Sequence, residues 1–164
     1  MEYPKAIACW CDTHVRPPFK VHPKRNPITV LDKRNFELSL YKDVIRVLNE
    51  LKDNNVLIFS ASRTHTPKVA VKLLKLFEID HFFEDSEWGP GTKCDHIDRI
   101  LSKHNYLTYS DMCLFDDELR NKDVERNLGV KFIHIPDEDI GLTYKIFQNG
   151  LKSWKTFNLT EFKD

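Results

Sequence analysis

Apolar residues fall into two alternating rhythms along the chain. Short uninterrupted runs at 6–10, 56–60 and 112–115 read as strands buried on both faces, because a strand covered on both sides shows no polar alternation. Between them the apolar positions recur at helical spacing. Val44, Ile45, Leu48 and Leu51 mark a helix over 41–52, and Asn54-Asn55 stops it. Thr66-Pro67 supplies an N-cap with proline at the first helical position, and Val69, Ala70, Leu73, Leu74 and Phe77 follow on one stripe. His81-Phe82-Phe83 reads as a short strand. Thr92 and Asp95 form a capping-box-like pair opening a helix that runs to about residue 103. A short helix over 122–127 ends at Gly129, a strand covers 130–135, and a closing helix over 143–154 turns Ile146, Phe147 and Leu151 inward. Strand and helix alternate throughout, which predicts an α/β fold, a doubly wound parallel sheet.

Residues 15–37 break the rhythm. They are rich in Pro, Lys and Arg and show no period, so they read as a long loop with a small hairpin around 28–31. Loops of this length in compact domains are often lids or binding segments; a solvated surface loop fits the pattern equally well. With 164 residues and no linker or repeat, residues 1–164 are expected to form a single domain.

Charge changes the picture by exclusion. Lys and Arg total 25, as do Asp and Glu, so no global field points to nucleic acid or a membrane surface. No apolar run reaches the length of a membrane span and no signal-peptide pattern opens the chain. Cys9, Cys11, Cys94 and Cys113 lack the spacing of a disulfide framework and read as reduced thiols of a cytoplasmic or nuclear protein. Cys9, Cys11, His14 and His22 could also be read as a zinc cluster, but that spacing fits no common structural zinc pattern.

Candidate chemistry sits where strands end. The run 112–115 delivers Asp116 and Asp117 to the carboxyl edge of a sheet, where ligands bind in open α/β folds. Adjacent carboxylates repel, so the two call for a nearby cation; an acidic loop in which Asp117 or Glu118 caps the next helix is the other reading. A second strand ends in Ser60-Ala61-Ser62-Arg63-Thr64, small hydroxyls and a cation suited to phosphate. Gly89-Pro90-Gly91-Thr92-Lys93 places a lysine in the first turn of a helix, where the helix dipole disfavours it. That placement suggests an anionic partner, and a plain surface lysine is the alternative.

Hydroxyl, lysine, then paired aspartates, in that order, resembles the later motifs of the haloacid-dehalogenase-like phosphatases. Asp12-Thr13-His14 with Pro17-Pro18-Phe19, Ala61-Ser62-Arg63-Thr64, and Leu114-Phe115-Asp116-Asp117-Glu118 with Arg120-Asn121 narrow the resemblance to its magnesium-dependent phosphatase family, fungal type. The resemblance implies a haloacid-dehalogenase-like Rossmannoid sheet, with residues 15–37 as a small loop or hairpin cap. It implies Mg2+ as cofactor, and hydrolysis of a phosphomonoester through an aspartyl-phosphate in complete members, as in acid or protein-tyrosine phosphatases. Ser62, Arg63 and Lys93 would bind the phosphoryl group, with Lys93 catalytic; Asp116 would hold the metal, supported by Asp117. The substrate would be a phosphorylated small molecule or phosphoprotein.

One departure stands out. The family continues its first strand into Asp-x-Asp-x-Thr, nucleophile and general acid, yet here Ala6-Ile7-Ala8 passes directly to Cys9-Trp10-Cys11-Asp12-Thr13-His14. Those last residues resemble the segment beyond the catalytic loop, and Asp12 matches its Asp-Thr-His, with no second aspartate two residues on. Nucleophile and general acid are therefore not found. The expected first strand is short or displaced, with Trp10 or Cys11 where the nucleophile belongs. Two readings from other classes remain: a non-catalytic phosphate-binding or scaffolding module, and a receiver-like signalling domain. The second is disfavoured because here the lysine precedes the aspartates.

Overall fold

The computed structural model describes residues 15–161, together with the backbone of residues 6–9. In chain order the elements are β1 (Ala6–Cys9), β2 (Lys20–Val21), β3 (Thr29–Leu31), β4 (Glu37–Ser39), α1 (Val44–Asp53), β5 (Leu57–Ser62), α2 (Pro67–Leu76), β6 (Asp85–Trp88), α3 (Lys93–Lys103), β7 (Met112–Asp116), α4 (Asp123–Leu128), β8 (Lys131–His134) and α5 (Tyr144–Glu161). Five strands form one parallel sheet in the order β6-β5-β1-β7-β8. The expected doubly wound sheet is present, with β1 at its centre.

Alternation along the strands sorts the core onto two faces. Ile58, Cys113, Phe115 and Ile133 face one way and bury Val47, Leu48, Leu51, Leu73, Phe147 and Leu151 of α1, α2 and α5. Phe59, Met112, Leu114 and Phe132 face the other way, against Ile97, Ile100 and Val124 of α3 and α4. Gly129 ends α4 in the left-handed conformation at φ 76°.

Two expectations need correction. The short strand assigned to 81–83 is a 3-10 turn, Asp80–Phe82; Phe82 and Phe83 pack sideways onto the core from it. The strand follows as β6, an edge strand whose Asp85 and Glu87 pair with Lys103, Arg99 and His104. Charged edges of this kind guard against pairing with another chain, and they erase the apolar signal. The closing helix also runs beyond 154, to Glu161. Asp43 precedes α1 and leaves its amides uncapped; its Oδ2 instead accepts from the Tyr144 amide at 2.9 Å, tying the starts of α1 and α5 together.

The segment at 15–37 contains more order than one hairpin. β2, β3 and β4 form a separate three-stranded antiparallel sheet. Asp32 knits it: Oδ1 accepts from the amides of Arg34 at 2.7 Å and Phe36 at 2.9 Å. Burial pushes this carboxyl up, but the backbone bonds from Phe36, Arg34 and Arg16, with the Arg34 guanidinium, outweigh it and hold it below its ordinary value.

Candidate active site

β1 lies between β5 and β7. Its last pairings are Cys9 with Ser60 and Ala8 with Leu114, so Ser62 and Asp116 each stand two residues beyond. Lys93 links β5 to β7 beyond those pairings. Its Nζ donates to the Ala61 carbonyl on β5 at 2.5 Å and lies 3.3 Å from Oδ2 of Asp116 on β7. The turn before α3 aims it there: Gly89 and Gly91 adopt φ +123° and +120°, which side chains disfavour, and Thr92 and Asp95 close a full capping box. Lys93 is 1% exposed, which rules out the surface-lysine reading. Burial pulls its amine below the ordinary value, and the Asp116 carboxylate opposes that pull.

Asp116 is fully buried and held at one oxygen only. Oδ1 accepts from the Glu118 amide at 2.8 Å and from Asn121 Nδ2 at 3.0 Å. Oδ2 has the Lys93 charge beside it and no aligned hydrogen bond among the described residues. Arg63 closes the network from β5. Its Nε donates to the Gly91 carbonyl at 3.0 Å, Nη1 to Glu118 at 3.1 Å and Nη2 to Asn121 Oδ1 at 2.5 Å. Arg120 also pairs with Glu118, so Glu118 serves these cations rather than capping a helix, and its carboxyl is held below its ordinary value by them. Ser62 is buried, and its Oγ accepts from the Thr64 amide at 3.2 Å.

Sequence reasoning missed two members of this group. Asn121, 1% exposed, links Arg63 to Asp116; the sequence showed it only as the last residue of the Asp116-Asp117-Glu118 and Arg120-Asn121 motif, with no role attached. His96, on α3, has Nε2 3.1 Å from the Gly89 carbonyl. A carbonyl only accepts, so that nitrogen carries the proton and pins the turn that presents Lys93.

Asp117 is not brought into this group. It is the first residue after β7 and lines a cavity of about 330 Å3 on the α1 and α5 side. Its Oδ1 is buried without a hydrogen bond among the described residues. Burial raises its carboxyl above the ordinary value, and the Asp116, Glu118 and Glu138 carboxylates add to the rise.

The arrangement offers an ammonium, a hydroxyl and a carboxylate oxygen at one sheet edge, which suits a phosphoryl group and a hard cation. Among the described residues no three His, Cys, Asp or Glu side chains gather as a metal cluster. The expectations for Trp10, Cys11 and Asp12, and for Cys9, Cys11 and His14 of the zinc set, rest on positions outside the described side chains; His22 is described, and its Nδ1 accepts from the Lys24 amide at 3.2 Å.

The sequence pattern of the acid phosphatase family matches residues 7–157. The chain belongs to the acid phosphatase family. Within it, a Saccharomyces cerevisiae protein named among the magnesium-dependent phosphatases is 38% identical over 157 residues, covering 87% of this chain and 88% of its own. Magnesium-dependent phosphatase 1 of Homo sapiens is 37% identical over 145 residues, covering 88% and 78%. A Schizosaccharomyces pombe protein of the haloacid-dehalogenase-like hydrolase superfamily is 36% identical over 151 residues, covering 81% and 86%. Among solved structures, the N-terminal phosphatase domain of a Bacteroides fragilis protein, complexed with Mg, superposes at TM-score 0.59 and 17% identity, over 89% of this chain and 39% of that one. A haloacid-dehalogenase-like hydrolase from Streptococcus pneumoniae gives 0.53 and 22%, over 68% and 52%. This chain spans about half or less of those two solved structures, which share its fold. No helix among the described residues is long and apolar enough to cross a membrane.

Proposed function

We propose that this chain carries the phosphate- and magnesium-binding half of a magnesium-dependent phosphomonoester phosphatase site and turns substrate over hardly at all. The observation behind this reading is the Lys93 bridge, which stretches from Ala61 to Asp116. In this reading Lys93 and Ser62 hold phosphoryl oxygens. Arg63, whose guanidinium is engaged with Gly91, Glu118 and Asn121, supports the phosphate through the site's shape and field. Oδ2 of Asp116, beside Lys93 and without an aligned hydrogen bond among the described residues, is the metal's hard oxygen ligand, and Asp117 supports it directly or through water. Magnesium, when bound, neutralises charge between phosphate and carboxylate. The antiparallel sheet of β2, β3 and β4 serves as the cap.

The nucleophile limits the chemistry. No Asp-x-Asp-x-Thr occurs anywhere in the sequence, and in complete members its first carboxylate forms the aspartyl-phosphate. General acid catalysis alone is worth about 10²–10⁴-fold, and groups that act as a unit fail as a unit.

Hydrolysis of an aryl phosphate with magnesium tests the reading, run beside a variant with Asp-x-Asp-x-Thr inserted after Ala8. The native chain should bind phosphate weakly and show turnover at least about 10²-fold below the variant. Equal rates for the two, both abolished by Asp116→Asn, would mean that another residue supplies the nucleophile.

A further inference from the structure

We propose that the cavity on the α1 and α5 face of the sheet binds an apolar amine, a primary ammonium carried on an aryl or alkyl body. Its walls are hydrocarbon, including Leu48, Leu51, Leu73, Phe77, Phe83 and Phe147. At about 330 Å3 it is roughly twice the ~150 Å3 engineered cavity that admits benzene, and it falls at the lower end of small-molecule sites. Its rim at the carboxyl edge is of another character: Asp117, Glu138 and Tyr41 line it.

A hydrogen bond crosses the rim. The Tyr41 hydroxyl donates to the Glu138 carbonyl at 2.5 Å, with the ring lying over Gly141, where an added Cβ would come within 2.4 Å of it. The Tyr41 hydroxyl is pushed up by burial and then by Asp117, Asp139, Glu138 and Asp137, which reports a negative field at this mouth.

Charge selects the occupant. Lys93 answers Asp116, and Arg63 and Arg120 answer Glu118. Among the described residues no Lys or Arg pairs with Asp117 or Glu138, and Oδ1 of Asp117 is buried without a hydrogen bond. A neutral apolar guest would leave that oxygen unpaired, and an anion would be repelled. An ammonium supplies the missing donor, and a charge-assisted bond is roughly twice as strong as a neutral one. The cavity lies on the α1 and α5 side of the sheet and Lys93 on the other, but Asp117 is shared with the phosphatase reading, so the inference rests on that carboxylate being left to the cavity rather than to the metal.

Titration calorimetry on the full chain with 3-phenylpropylammonium, 3-phenylpropanol and 3-phenylpropanoate tests the assignment. The ammonium should bind about tenfold tighter than the alcohol, and the carboxylate should not bind. Asp117→Asn should bring ammonium and alcohol to similar affinity, and Leu48→Phe, which narrows the cavity, should weaken both. Equal binding of alcohol and ammonium by the native chain would overturn the charge argument, and failure of all three to bind would overturn the site. Displacement of the ammonium by magnesium would overturn it too, by giving Asp117 to the metal; the aryl phosphate assay answers separately for the phosphatase reading.

Discussion

Asp116 and Asp117 are neighbours in sequence with the same side chain, yet they stand in opposite environments. Asp116 faces α3, fully buried, fastened at Oδ1 by two donors and matched by the Lys93 ammonium. Asp117 faces the apolar cavity, with a buried oxygen unbonded among the described residues and its carboxyl raised by burial and by neighbouring carboxylates. The end of β7 separates them: Asp116 is its last residue and Asp117 the first of the bend that follows. A pair of acids read as one site in sequence is thus one compensated charge and one open one, each asking for a different cation.

The sharpest way to break this comparison is to take away the compensation. Lys93→Met leaves Asp116 buried and uncompensated and should cost about 3–5 kcal/mol of stability, read by urea unfolding at neutral pH. The double variant Lys93→Met with Asp116→Leu should recover most of that loss, because two apolar residues can replace a buried ion pair. A loss below about 1 kcal/mol for Lys93→Met would put the pair in the class of solvated surface contacts.

The buried half of this arrangement was largely legible in the sequence. β5 and β7 announced themselves as unbroken apolar runs because both their faces are covered, and the capping box at Thr92 and Asp95 fixed where α3 begins. Lys93 was legible as an electrostatic misfit in a first helical turn, and the anion it faces is Asp116. What sequence could not carry was anything set by pairing across the chain. β6 hides because its Asp85 and Glu87 are matched by Lys103 and Arg99 from α3. Asn121 hides because its task depends on Arg63, far away in sequence. The facing of Asp117 depends on the bend that follows β7, which its composition does not encode.

Asn121 allows a finer test of the fastened side. Asn121→Ala removes one of the two donors to Oδ1 of Asp116 and one acceptor of Arg63. Leaving such buried groups unpaired costs about 1–3 kcal/mol, less than the loss of the lysine. Phosphate affinity should fall as well, because Asp116 and Lys93 lose the anchor that sets their geometry. Unchanged stability together with unchanged phosphate binding would remove Asn121 from the network.

The smallest effect belongs to the open side and is a matter of pH. Asp117 holds its proton more tightly folded than unfolded, since burial and then Asp116, Glu118 and Glu138 raise it. The stability this contributes is fully present below the unfolded value of about 3.9 and is lost as pH rises through the higher folded value. Asp117→Asn has no such proton to lose. The stability of the variant minus that of the native chain should therefore be constant at low pH, climb as pH passes through the raised value, and level off in the variant's favour. Asp85 and Glu87, held low in the fold, lose their contribution as pH falls, but they are common to both proteins and cancel in the difference. Urea unfolding of both proteins from pH 3.5 to 7.5 reads the curve. A flat difference would mean that Asp117 titrates as an ordinary solvated carboxyl, and the contrast with Asp116 would then be one of burial alone. If saturating 3-phenylpropylammonium flattens the climb while leaving the low-pH plateau untouched, the open charge and the proposed cation occupy the same place.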